Sequence, residues 1–155
     1  MKCLLKTVIS LVVIILIAAA VMYFWGIPTL LGEDNATEHL EKQDYTVVVT
    51  DISLTEGCEA QLYAAKSETA TEDTLSADIV VIWYFEDGSA ARDFRSDYVE
   101  DMEEQIDFIA DGLNVVRPGA GDDFREEAET IKVVRFGKIV IQGTVRGILE
   151  AVTGL

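Results

Sequence analysis

The sequence predicts an α+β fold: an N-terminal transmembrane helix, then a two-layer domain whose mainly antiparallel sheet of about five strands carries helices packed on it. Three observations predict it. Residues 7–25, TVISLVVIILIAAAVMYFW, hold no charge. Three β-rich runs then follow one another without a crossover helix, which favours antiparallel pairing. Finally, two segments show apolar residues at helical spacing.

The uncharged run is nineteen residues long. At about 1.5 Å per residue a helix of that length reaches roughly 28 Å, close to the hydrocarbon thickness of a bilayer. Lys2 and Lys6 precede it, and the first charges after it are Glu33 and Asp34. The positive-inside rule then leaves residues 1–6 in the cytoplasm, makes 7–25 a single-pass signal anchor and puts the remainder outside. The competing reading is a cleaved signal peptide ending at Ala18-Ala19-Ala20, which would release the same domain as a secreted protein. Against cleavage, the apolar run continues beyond those alanines to Trp25. Cys3 lies before the run, so it cannot serve as a lipid-modified cysteine at its end.

Residues 26–34 read as a stalk, because Pro28 and the flanking glycines break a helix. The domain is expected over 35–155. Asn35 has Glu38 three residues on, the spacing of a capping box, and predicts a short helix to about Gln43. The same Asn35-Ala36-Thr37 is a glycosylation sequon, here read as the cap. Residues 45–51, YTVVVTD, are rich in β-branched side chains and predict a strand. Residues 59–66 alternate, with Ala60, Leu62 and Ala64 on one face and Gln61 and Tyr63 on the other; a helix from Thr55 is the alternative. Residues 67–76 are polar and predict an exposed loop. Residues 78–86, DIVVIWYFE, are apolar almost throughout, as in a central strand covered on most of both faces.

Asp87-Gly88-Ser89 supplies a stop and the next N-cap. Over 89–111, Ala91, Phe94, Tyr98, Met102, Ile106, Ile109 and Leu113 form one helical stripe, and Gly112 is expected to end the helix. A Gly/Pro-rich loop at 117–121 and an acidic stretch at 122–129 follow, the latter read as about one helical turn. Residues 130–136 and 138–142 predict a hairpin about Gly137. Thr144 caps a last helix with Val145, Ile148, Leu149 and Val152 on one stripe.

Charge narrows the function. The 155-residue chain carries 28 acidic and 12 basic residues. All the acidic ones and ten of the basic ones follow Trp25, which gives that part a net charge of −18. Nucleic acid and anionic lipid headgroups are repelled; a basic protein or divalent cations are the partners that fit. The same acidity also suits simple solubility or a saline environment. Cys58 is the one cysteine after the apolar run, so no disulfide can form within the domain.

His39 is the one histidine, expected to be solvated, which argues against zinc sites of His and Cys and against a Ser-His-Asp triad. No phosphate loop, dinucleotide fingerprint or calcium loop occurs. No cofactor is expected. The pattern that does stand out is an acidic ridge. Asp93, Asp97, Glu100, Glu104, Asp107 and Asp111 are spaced 4, 3, 4, 3, 4 and lie within about 40° of one line, opposite the apolar stripe. Like charges at that spacing oppose helix formation, so the ridge is locally unfavourable. Phe108 sits at its edge.

The candidate contact residues are therefore Asp93, Asp97, Glu100, Glu104, Asp107 and Phe108, facing a basic protein or cations, with Asp122-Asp123 the nearest second source of carboxylates. Tyr63, Tyr84 and Trp83 on an uncovered strand face are a second candidate surface. The expected function is binding or sensing by a membrane-tethered extracytoplasmic domain; the alternative is a carboxylate-dependent extracytoplasmic hydrolase.

Overall fold

The computed structural model describes residues 26–51, 55–67 and 77–155. The expected membrane segment, residues 7–25, and most of the expected loop, 68–76, lie outside the described residues. Among the described residues no helix is long and apolar enough to cross a membrane.

The chain runs α1 (Ile27–Leu30), α2 (Glu33–Lys42), β1 (Thr46–Thr50), β2 (Cys58–Ser67), β3 (Ala77–Phe85), α3 (Gly88–Val116), α4 (Ala120–Ala128), β4 (Ile131–Phe136), β5 (Ile139–Thr144) and α5 (Val145–Thr153). The fold is α+β. Its five strands form one sheet in the order β1-β2-β3-β5-β4, with every neighbouring pair antiparallel. The chain between Thr55 and Lys66 is strand rather than helix from Cys58 onward, and its register sets Leu62 beside Ile82 and Tyr63 beside Val81. Gly137 turns β4 into β5 with φ +62°, a left-handed conformation that costs glycine little.

The domain has three layers, not two. Alternation along β3 sends Val80 and Ile82 to one face, where they pack with Leu31, Leu40, Leu62, Ile141, Ile148 and Ala151 under α1, α2 and α5. Val81, Trp83 and Phe85 point to the other face, where α3 lays Ala91, Phe94 and Tyr98 on them. A strand apolar on both sides needs cover on both sides, so the helices divide between them.

Four local expectations are corrected. Asn35 does not cap α2: the helix begins at Glu33 after Gly32, and Asn35 Nδ2 instead donates to the Thr29 carbonyl at 3.0 Å. Within the stretch read as a stalk, Ile27 packs against the core and Leu31 is fully buried, its carbonyl accepting from Tyr84 Oη at 2.9 Å. Gly112 does not end α3, which runs on to Val116 and stops before Pro118. His39 is not simply solvated: its Nδ1 lies 3.0 Å from the Ala151 carbonyl and joins α2 to α5. The N-caps at Asp87 and Thr144 form as expected, each side chain accepting from backbone N–H groups of its first turn.

Candidate functional site

The helix α3 covers β3, β5 and β4 but leaves the β1–β2 half of its face open. Register places Thr46, Val48, Thr50, Gln61, Tyr63, Ala65 and Ile79 on that face. Val48 is 58% exposed, Tyr63 44% and Ile79 53%, a concentration of exposed apolar area on a regular sheet. Where the open half meets α3, a groove of about 490 Å³ is lined by Thr50, Gln61, Tyr63, Trp83, Phe94, Tyr98 and Gln142 among others.

Its aromatic wall is closely packed. Trp83 lies 5.2 Å from the rings of both Phe94 and Tyr98, and Phe94 and Tyr98 stack at 5.3 Å. Tyr98 Oη donates to Gln142 Oε1 at 2.8 Å, which fixes the phenol and leaves the Gln142 amide aimed at Met102 Sδ. Burial pushes the Tyr98 phenol above its usual range, so it stays a neutral donor. The groove is thus uncharged, with ring faces and a few hydroxyl and amide groups. The sequence expected Tyr63, Tyr84 and Trp83 to share an open face. Only Tyr63 does: Trp83 is 5% exposed beneath α3, and Tyr84 lies on the opposite face, one residue out of phase.

The acidic ridge is solvent-facing along all of α3. Its members are drawn into different pairings. Asp93 pairs with Arg92 at 3.1 Å, while Asp107 and Asp111 are clasped by Arg125 at 3.0 and 2.8 Å. Arg125 also reaches Asp122 at 3.3 Å, so one guanidinium gathers three carboxylates, and the bonds to Asp107 and Asp111 hold its own pKa up. Asp97, Glu100 and Glu104 remain as the exposed centre of the ridge. Phe108 is 82% exposed and borders a shallow hollow with Asp101, Glu104, Gln105 and Ile109. Among the described residues no three His, Cys, Asp or Glu side chains converge as a metal site.

Arg125 was not foreseen. It reaches α3 because α4 folds back on it: a Cβ on Gly121 would sit 2.1 Å from the Ala110 carbonyl, so only glycine admits that approach. Asn114 Oδ1 secures the turn by accepting from the Gly119 and Gly121 N–H groups at 3.1 and 2.8 Å.

One further polar cluster lies inside the opposite layer. Tyr45 Oη bridges Asp78 Oδ2 and Glu150 Oε2, each at 2.9 Å, and Arg146 Nε donates to Glu150 Oε1 at 2.9 Å. Burial first, then the two carboxylates, push the Tyr45 phenol well above the usual range. Cys58 is half-buried at the start of β2, with Sγ 3.2 Å from the Ala60 carbonyl.

Set against known proteins, the chain matches no family model, no curated protein and no solved structure.

Proposed function

We propose that this chain is a membrane-tethered extracytoplasmic domain that binds a protein segment on the open half of its sheet. The observation that carries the binding role is the exposure of Val48, Tyr63 and Ile79 beside a preformed aromatic groove, on a sheet face that α3 covers only in part. The tether is supported by the nineteen uncharged residues at 7–25 and the lysines before them. The field of a domain with 28 carboxylates favours a basic segment, and the Asp97–Glu100–Glu104 centre of the ridge supplies the charge that attracts it. Phe108 offers that partner an apolar foothold. Divalent cations draw no support, since straight-line carboxylates do not surround an ion.

The hydrolase alternative also draws no support from geometry. Asp78 and Glu150 come together only through Tyr45, and Glu150 is 4% exposed and already held by Arg146. A general acid must reach its substrate.

The test is capture from an envelope extract by the full chain in detergent, at low and high salt. Tyr63→Ala is expected to lower capture of a specific partner at least tenfold. Joint substitution Asp97→Asn, Glu100→Gln and Glu104→Gln should weaken it mainly at low salt, where charge is least screened. Undiminished capture by Tyr63→Ala removes the sheet face from the interface. Separately, protease added to intact cells must digest the acidic domain; survival of that domain would end the extracytoplasmic assignment.

A further inference from the structure

The two edges of the sheet are built differently. Strand β4 carries Lys132 and Arg135, and Arg95 Nε donates to the Val133 carbonyl at 3.4 Å. Charged side chains of this kind discourage another strand from adding on. Strand β1, Thr-Val-Val-Val-Thr, has none of these guards: no charge, no proline and no bulge in its five residues. Its central residue, Val48, is more exposed than buried. In a domain of net charge −18, such a neutral, β-branched edge offers little electrostatic opposition to a copy of itself.

The order of residues adds a second argument. Thr46-Val47-Val48-Val49-Thr50 reads the same in both directions. Two antiparallel strands related by a two-fold axis through Val48 therefore set Val48 against Val48, Val47 against Val49 and Thr46 against Thr50. A two-fold asks only that where i meets j, j meets i, and in this register each such pair is Val with Val or Thr with Thr, neutral and β-branched throughout. We propose that two copies of this chain pair through β1 in this register and form one continuous ten-stranded sheet.

The geometry has a consequence for the binding face. The two-fold axis of an antiparallel strand pair stands perpendicular to the sheet, so corresponding faces stay on the same side. The α1–α2–α5 layers of both copies then share one side, an arrangement open to two chains tethered in one membrane. On the other side the two uncovered halves merge. The floor becomes β2-β1-β1-β2, walled by the two α3 helices. From β3 to its mate is five strand spacings, about 24 Å, room for an extended or helical segment between the walls. The self-pairing itself stands apart from the binding reading; only the trough rests on it.

Cysteine cross-linking of the full chain in membranes or detergent tests the register, in a background with Cys3→Ser and Cys58→Ser. Val48→Cys places two thiols across the axis and should give a disulfide-linked dimer in high yield. Thr46→Cys, on the same face, leaves its two thiols about 13 Å apart along the strands, beyond disulfide reach, and should give little. Ile79→Cys, equally exposed, measures chance collision. Val48→Lys sets two ammonium groups together and should convert the dimer to monomer by sedimentation while leaving the far-ultraviolet circular dichroism unchanged. Equal cross-linking at all three positions, none at Val48→Cys, or a wild-type monomer would overturn the pairing. A monomer whose capture still depends on Tyr63 would overturn the pairing alone and leave the sheet-face reading in place.

Discussion

The two faces of the sheet use the same strands and differ in how much they are covered. Under α1, α2 and α5 the strands contribute Leu62, Val80, Ile82 and Ile141, all fully buried. On the α3 side the same strands contribute Trp83 and Val140, buried, but also Tyr63 and Ile79, exposed. The first face is covered throughout, whereas the second combines a buried cluster under α3 with an exposed half over β1 and β2.

The sharpest way to break this contrast is to remove matched side chains from each face. Leu62→Ala or Ile82→Ala should destabilise by roughly 2–5 kcal/mol in chemical denaturation, because each leaves a cavity in packed surroundings. Comparable losses from Val48→Ala or Ile79→Ala would abolish the distinction. Next in size is Tyr45→Phe, which strips Asp78 and Glu150 of their shared hydroxyl and should cost about 1–3 kcal/mol by the same measurement.

Gly121→Ala follows on the α3 side. Its new methyl would meet the Ala110 carbonyl, and overpacking of this kind costs roughly 1–3 kcal/mol. The strain should appear as faster hydrogen exchange in α4 with the α1–α2–α5 layer unaffected.

Alkaline titration sharpens the comparison further. The phenols of Tyr45 and Tyr84, on the covered face, and of Tyr98, on the other, are all raised by burial. A phenol held protonated in the fold stabilises fully below its ordinary pKa of about 10 and less as pH climbs toward its raised value, since the unfolded chain releases that proton first. The phenols' contribution should thus be constant up to about pH 10 and fall above it, and Tyr84→Phe should shallow the fall. The smallest effect is expected of Ile79→Thr on the open face, within about 0.5 kcal/mol.

Much of the fold was legible because periodicity reports burial. All five strands and the N-caps at Asp87 and Thr144 follow from alternation and capping chemistry. What misled were residues whose meaning depends on distant partners. Gly112 reads as a terminator, yet helical continuation costs only about 1 kcal/mol there, and Pro118 supplies the real stop. Asn35 has capping spacing, but the turn of α1 presents the Thr29 carbonyl to it first. The two-layer expectation overlooked what 78–86 already implied, that both faces of β3 need cover. For the candidate site, the solvent exposure of the ridge and of Phe108 was readable from helical angles. The Arg125 clasp was not, because it lies fourteen residues or more from Asp107 and Asp111 and depends on how closely α4 folds back. Phase alone separates Tyr63 from Tyr84 once β2 and β3 are in register, and no single strand reveals that register.

The last helix carries an implication for biosynthesis. Ile148 and Ala151 of α5 complete the covered face, and Tyr45 and His39, near the domain's beginning, find their partners there in Glu150 and Ala151. A ribosome delivers α5 after the other described elements of this domain, so the covered face stays unfinished until α5 has emerged. That face is then closed only when α5 docks, and it is during that interval that a chaperone would have something to hold.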